Sequence, residues 1–123
     1  MLRIVGLQRS DSADREFLLL QNQGSMRVHL RGHAIMSDSA FFSSDLTAGA
    51  YAFPDDVSIS PGLYVILTTG AGTPRWAKTK DGAHVYHAYM FQNAPVWSRA
   101  ELPLHMMGSQ HEYSERSEPL LVR

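Results

Sequence analysis

The stretch Tyr51 to Gly72, YAFPDDVSISPGLYVILTTGAG, constrains the fold more than any other part of this chain. Pro54, Asp55 and Asp56 break an apolar run, and Pro61-Gly62 breaks the next. Proline fixes φ for a turn, and glycine tolerates the positive φ that turns often need. Between and after these breaks stand Val57 to Ile59 and Leu63 to Thr69, rich in β-branched and aromatic residues. A residue type that crowds a helix but fits a pleated surface, bounded by turn formers, predicts short strands.

The same grammar runs through the rest. Leu2 to Leu7 predicts a first strand and Glu16 to Asn22, EFLLLQN, a second, its four consecutive apolar residues requiring burial on both faces, or on one face with an edge contact. Met26 to Leu30 alternates, with Val28 and Leu30 on one side and Arg27, His29 and Arg31 on the other. Gly32 interrupts, and His33 to Met36 continues. Ala83 to Gln92 predicts a strand with Val85, His87, Tyr89 and Phe91 on one face and His84, Tyr86, Ala88 and Met90 on the other. Leu102 to Met107 and Gln110 to Tyr113 flank Gly108-Ser109 as a hairpin, and Leu120 to Val122 forms a last edge strand. Ser37 to Gly49 and Thr73 to Gly82 read as irregular surface segments. No segment has helical periodicity. Strands every ~8–12 residues with a turn signal between them predict an all-β sandwich or barrel.

With 123 residues the chain has the size of one domain, and 44% hydrophobic residues supply a core. Eleven Lys and Arg against twelve Asp and Glu give a net charge of −1, and the basic residues are scattered. A nucleic-acid surface needs clustered positive charge, so that class is set aside. The absence of cysteine removes disulfides, thiolate metal sites and cysteine nucleophiles. No apolar run reaches the ~20 residues of a membrane helix. The first residues lack the apolar centre and cleavage site of a signal peptide, which points to the cytoplasm if residue 1 is the native start.

Several pieces in order carry a resemblance. EFLLLQNQG is a strand followed by an asparagine-centred turn. Leu30-Arg31-Gly32 is a Leu-x-Gly corner leading into His33-Ala34-Ile35. Tyr51-Ala52-Phe53-Pro54 is followed by Pro61-Gly62 at the start of a strand that ends in Thr68-Thr69-Gly70-Ala71-Gly72. Asn93, Trp97 and LHMMGSQHEY close the series. Over roughly residues 15–115 this resembles the lamin tail domain, an immunoglobulin-like β-sandwich. The resemblance implies a single sandwich over residues 1–123, a non-catalytic interaction or structural role, no cofactor, and Trp97 in the core. Many members of that family carry Trp after the Leu-x-Gly corner; His33 stands there instead, which predicts a half-buried imidazole.

Candidate chemistry is thin. His84 and His87 are three apart, which on a strand sends them to opposite faces, so they cannot chelate one ion. His105 is expected to face Glu112 across the Gly108-Ser109 turn as a surface pair. No His-Glu-x-x-His spacing and no Gly-x-Ser-x-Gly elbow occurs. Asp55-Asp56 follows Pro54, where aspartate is favoured because its side chain bonds the turn backbone. Gly70-Ala71-Gly72 lacks the following helix that a phosphate cradle needs. What remains is apolar: Phe41 and Phe42, with Leu46, inside an otherwise polar segment, and Trp76 among Arg75, Lys78 and Lys80. These four are the candidate partner contacts, the simplest partner being a second copy of the chain. A row of exposed planar rings would instead suit a carbohydrate- or surface-binding accessory module of a secreted enzyme system.

Overall fold

A computed structural model describes residues 1–109. It is mostly strand, with almost no helix, as the turn-punctuated sequence requires. The strands in chain order are β1 (Leu2–Gln8), β2 (Phe17–Asn22), β3 (Val28–His29), β4 (His33–Ser37), β5 (Ala50–Ala52), β6 (Ser58–Ile59), β7 (Tyr64–Thr68), β8 (Arg75–Lys78), β9 (His84–Tyr89) and β10 (Leu104–Gly108). A short helix, α1 (Asp38–Ser43), and a 3-10 turn, Leu46–Ala48, lie between β4 and β5.

Five strands form the main sheet in the order β1-β2-β7-β9-β8. All neighbours are antiparallel except β7 and β9, which run parallel. The chain leaves β7, crosses to the far edge as β8, and returns as β9 between them. A second sheet has the order β10-β4-β5, and β3 pairs with β6 alone. Leu18 and Leu20 of β2, Val65 and Leu67 of β7, Tyr86 and Ala88 of β9, Ile35 of β4 and Ile59 of β6 meet in one cluster with Leu30, Phe53 and Trp97. Side chains of all three sheets therefore share one core. Burying each large aliphatic or aromatic group contributes about 1.5–3 kcal/mol.

Alternation along β2 is strict: Leu18 and Leu20 are buried while Phe17 and Leu19 are half-buried on the other face. That explains the four consecutive apolar residues, which serve two faces. The two ends of this strand are tied by polar groups. At its far end Asn22, fully buried, donates from Nδ2 to the carbonyls of Met26 and Ile59, both at 2.9 Å, and accepts from the Gly24 N–H at 3.0 Å. One amide side chain thus joins the turn after β2 to β6.

The near end is held by Glu16, whose side chain is wholly buried. Its carboxylate accepts from the N–H groups of Val96 (2.9 Å), Trp97 (3.0 Å) and Ser98 (2.8 Å), and from the hydroxyls of Thr69 and Ser98, both at 2.5 Å. Burial alone would raise the carboxyl pKa. The hydrogen bonds from Ser98, Thr69, Trp97 and Val96 together outweigh it and hold the group below its ordinary 4.5. A buried carboxylate with five donors is satisfied as an ion.

The structure corrects several readings of the sequence. Ser37 to Gly49 contains α1 and the 3-10 turn. Thr73 to Gly82 contains β8, so it is not a plain loop. Gly108 lies inside β10 opposite His33, and Ser109 continues by donating to the Gly32 carbonyl at 2.8 Å, so these two residues extend the ladder to β4. The partner arm Gln110 to Tyr113 and the strand Leu120 to Val122 lie outside the described residues. Phe91 does not extend β9: it sits at φ 59°, exposed, after the strand has ended at Tyr89. The Gly70-Ala71-Gly72 segment is a close-packed strand exit. A Cβ on Gly72 would come within 2.3 Å of the Tyr89 ring, and one on Gly70 within 2.1 Å of Asp14 Oδ1.

Replacing Glu16 by Gln is expected to lower stability by about 2–4 kcal/mol: Oε1 accepts from Val96, Trp97 and Thr69 and Oε2 from Ser98, so the amide nitrogen that replaces either oxygen cannot accept and leaves that oxygen's donors unpaired. The depressed pKa means that the carboxylate's contribution is complete above about pH 4.5 and is lost as pH falls through the lower folded value. Urea unfolding at several pH values checks both. Glu16→Gln should remove part of the acid dependence. An unchanged midpoint, or an unchanged acid dependence, would contradict this account of the site.

Candidate functional site

Ser37 is where the second sheet gives way to α1. Its hydroxyl accepts from the Ala40 N–H at 3.1 Å and caps the helix, with Asp38 in the first turn where carboxylate charge is favoured. Ala40 faces the core and is 1% exposed. The next two residues are carried round the helix surface. Ser44, at φ 57°, ends it. Asp45 Oδ1 then accepts from the Thr47 N–H at 3.1 Å and the Thr47 hydroxyl at 2.6 Å, which turns the chain through Leu46.

This geometry presents apolar groups outward. Phe41 stacks on the His105 imidazole with centroids 4.6 Å apart and planes at 23°. Phe42 meets Phe41 edge-on at 4.8 Å and His105 edge-on at 5.7 Å. The imidazole is fixed from behind: His105 Nε2 lies 2.9 Å from Asp38 Oδ1. Asp38 is held in turn, its N–H donating to the Glu101 carbonyl at 3.2 Å, and the Ser39 hydroxyl donates to Glu101 Oε2 at 2.8 Å. Phe41 remains 40% exposed, Phe42 71% and Leu46 64%. Met107, two residues along β10 from His105 and so on the same face, is also exposed. The site is therefore a braced three-ring cluster with Leu46 beside it in the chain.

Of the four residues singled out in the sequence, Phe41, Phe42 and Leu46 fall on this segment and Trp76 does not. Trp76 lies in β8, at the edge of the other sheet, opposite Tyr86, with the two rings edge-on at 5.3 Å. His105 was not expected to join the cluster. Its partner among the described residues is Asp38; Glu112, the partner expected from the sequence, lies outside the described residues. A Ser followed by Asp at a strand end is a helix-cap signal, and it announces α1; nothing local announces that β10 brings His105 there.

The remaining polar groups are engaged elsewhere. Asp55 accepts from the Tyr86 hydroxyl at 2.7 Å, whereas Asp56 Oδ1 lies 2.7 Å from His29 Nε2. The two neighbouring carboxylates serve different strands and do not converge on one point. The register of β8 with β9 puts His84 and His87 on opposite faces, opposite Lys78 and Arg75 respectively. Burial first, and the charge of Arg75 second, lower the His87 pKa. Among the described residues no group of three His, Asp or Glu stands close enough to hold a metal ion. Among the described residues no helix is long and apolar enough to cross a membrane. His33 is half-buried, its Nδ1 2.9 Å from the His29 carbonyl, against the bare Cα of Gly108. Comparison with known proteins finds no family model that matches the chain and no curated relative.

Burial, with the Asp55 carboxylate beside it, holds two tyrosines in their neutral form. Burial first, then the Asp55 charge, pushes Tyr51 from 10.0 up to about 12. Tyr86 is raised by burial, by its hydrogen bond to Asp55, and by the nearby charges. Neutral phenols favoured by the fold contribute stability that is complete below the unfolded value near 10 and is lost as pH rises through the folded one. Near-ultraviolet tyrosinate absorbance at about pH 11 should therefore be lower in the native chain than in the unfolded chain. Tyr86→Phe should leave that native absorbance unchanged. Loss of a full tyrosinate signal in Tyr86→Phe at this pH would contradict the Asp55 arrangement.

Proposed function

We propose that this chain is a non-catalytic protein-interaction module, built as an immunoglobulin-like β-sandwich of the lamin tail type. The sandwich reading is supported by three sheets sharing one core, by Phe53 of the Tyr-x-Phe-Pro segment in that core, and by Trp97 buried at 0% exposure. The interaction reading rests on one observation: Phe42 and Leu46 stand 71% and 64% exposed on a segment that capping bonds and the Asp38–His105 pair hold rigid. A mobile loop would lose entropy on docking; a braced one loses little.

The partner that fits most simply is a second copy related by a two-fold axis, since an apolar patch is complementary to itself. The described residues bring no set of acid, base and nucleophile together at this patch. Among the described residues its titratable groups are held in local bonds, His105 and Asp38 to each other, Glu101 to Ser39 and Asp45 to Thr47, so it offers contact area and not chemistry.

Sedimentation equilibrium over a wide concentration range tests the reading. The wild-type chain should associate as concentration rises. Phe42→Ser and Leu46→Ser should remain monomeric while unfolding within about 0.5 kcal/mol of wild type, because neither side chain is buried. Phe41→Ser should also lose about 1–2 kcal/mol of stability, because that ring stacks on His105. A wild-type chain that stays monomeric throughout, or serine variants that associate as wild type does, would overturn the patch as a self-contact.

A further inference from the structure

A different surface, on the main sheet, supports a separate assignment. Among the described residues β8 is the last strand of that sheet, and only one of its two sides is paired, with β9. The pairing has a readable phase. Thr79 donates its N–H to the Ala83 carbonyl at 2.8 Å, so the pair Thr79–Ala83 turns its backbone groups inward. In an antiparallel ladder inward-turned pairs alternate with outward-turned ones. Ala77 with Val85 and Arg75 with His87 therefore bond each other. The N–H and C=O groups of Trp76 and Lys78 face away from β9, along an edge that no strand covers among the described residues.

The side chains on this edge share one character. Arg75 and Lys78 are in the strand and Lys80 follows it, all exposed. Neither lysine forms an ion pair among the described residues, and Arg75 bonds only neutral oxygens, those of Tyr89 and Thr73. The nearest acidic residue in the chain, Asp81, offsets one of three positive charges. Trp76 is 42% exposed, its indole propped against Tyr86, and offers a flat apolar surface beside the open backbone groups. In an otherwise charge-balanced chain this is a basic, aromatic strand edge.

We propose that the outer edge of β8 binds an extended acidic peptide, which adds to the sheet as a further strand beside Trp76 and Lys78. Main-chain bonds to the outward N–H and C=O groups would supply the alignment, and acidic side chains would pair with Arg75, Lys78 and Lys80. A second copy of the same edge fits poorly, because it would bring these three cations against their own counterparts.

Trp76 reports the event directly. The chain has two tryptophans and the other, Trp97, is fully buried. The capped peptide TEVEVT is titrated into the intact chain, with tryptophan emission and acrylamide quenching followed. Two controls are the lysine version TKVKVT and a TEVEVT peptide N-methylated at alternate residues. The acidic peptide should shield Trp76 from quencher, and its affinity should fall as salt rises. N-methylation should weaken binding at least tenfold, because it removes the donors that strand addition needs. Lys78→Glu should weaken the acidic peptide at least tenfold and permit the lysine peptide to bind. Equal binding of the methylated peptide would show attraction by charge alone and overturn strand addition. An absence of binding by the acidic peptide, or shielding of Trp76 by the chain's own association, would also overturn the proposal.

Discussion

Everything at one end of the main sheet depends on a single buried carboxylate. Glu16 stands just before β2, and its oxygens gather five donors from Thr69 and from the segment Val96 to Ser98. Those residues are up to 82 positions away in the chain. Without an acceptor, three consecutive N–H groups of an irregular segment would be left unpaired, at a cost of about 1–3 kcal/mol for the buried one at Trp97 and less for the part-buried ones at Val96 and Ser98. With the carboxylate in place, the segment is fixed and Trp97 can enter the core fully. The polar network and the largest core side chain thus stand or fall together. Asn22 performs a similar task at the other end of the same strand, so β2 is anchored at both ends by groups that are polar and fully buried.

This arrangement leaves the surface free to carry function. Neither Phe42 nor Leu46 is used by the core, yet both are held by short-range bonds that begin at buried Ser37. The edge of β8 is similarly independent, since Trp76 leans on Tyr86 while its own backbone groups face outward. One surface is apolar and braced; the other is basic and open to hydrogen bonding. Such a division is what the proposed interaction role requires, with burial setting the scaffold and exposed residues left for a partner.

Most of the strands were legible in the sequence because a half-buried strand writes its alternation into the chain. Leu18 and Leu20 against Phe17 and Leu19, and Tyr86 and Ala88 against His87 and Tyr89, show the period directly. What escaped is physically of three kinds. β8 is four residues long, charged at both ends and preceded by Pro74, so it looks like a loop and is a strand only because β9 pairs with it. α1 has fewer than two turns, too few to show a period, and its cap at Ser37 is the sole local sign. Glu16 was hidden for a different reason. A glutamate before an apolar run reads as the solvated end of a strand, and only the return of residues 96–98 makes it a buried acceptor. The patch was half legible: two adjacent phenylalanines in a polar stretch drew attention, but His105 joined them through the pairing of β10 with β4, which no local pattern encodes.

Hydrogen exchange of the intact chain, followed by mass spectrometry at low and high protein concentration, tests this division most directly. The account predicts that the amides of Val96, Trp97 and Ser98 exchange as slowly as those of β2 and β7 at both concentrations. It predicts that residues 40–46 exchange more slowly when concentrated than when dilute. Fast exchange at 96–98 would contradict the role given to Glu16. Exchange at 40–46 that ignores concentration would contradict the role given to the aromatic patch.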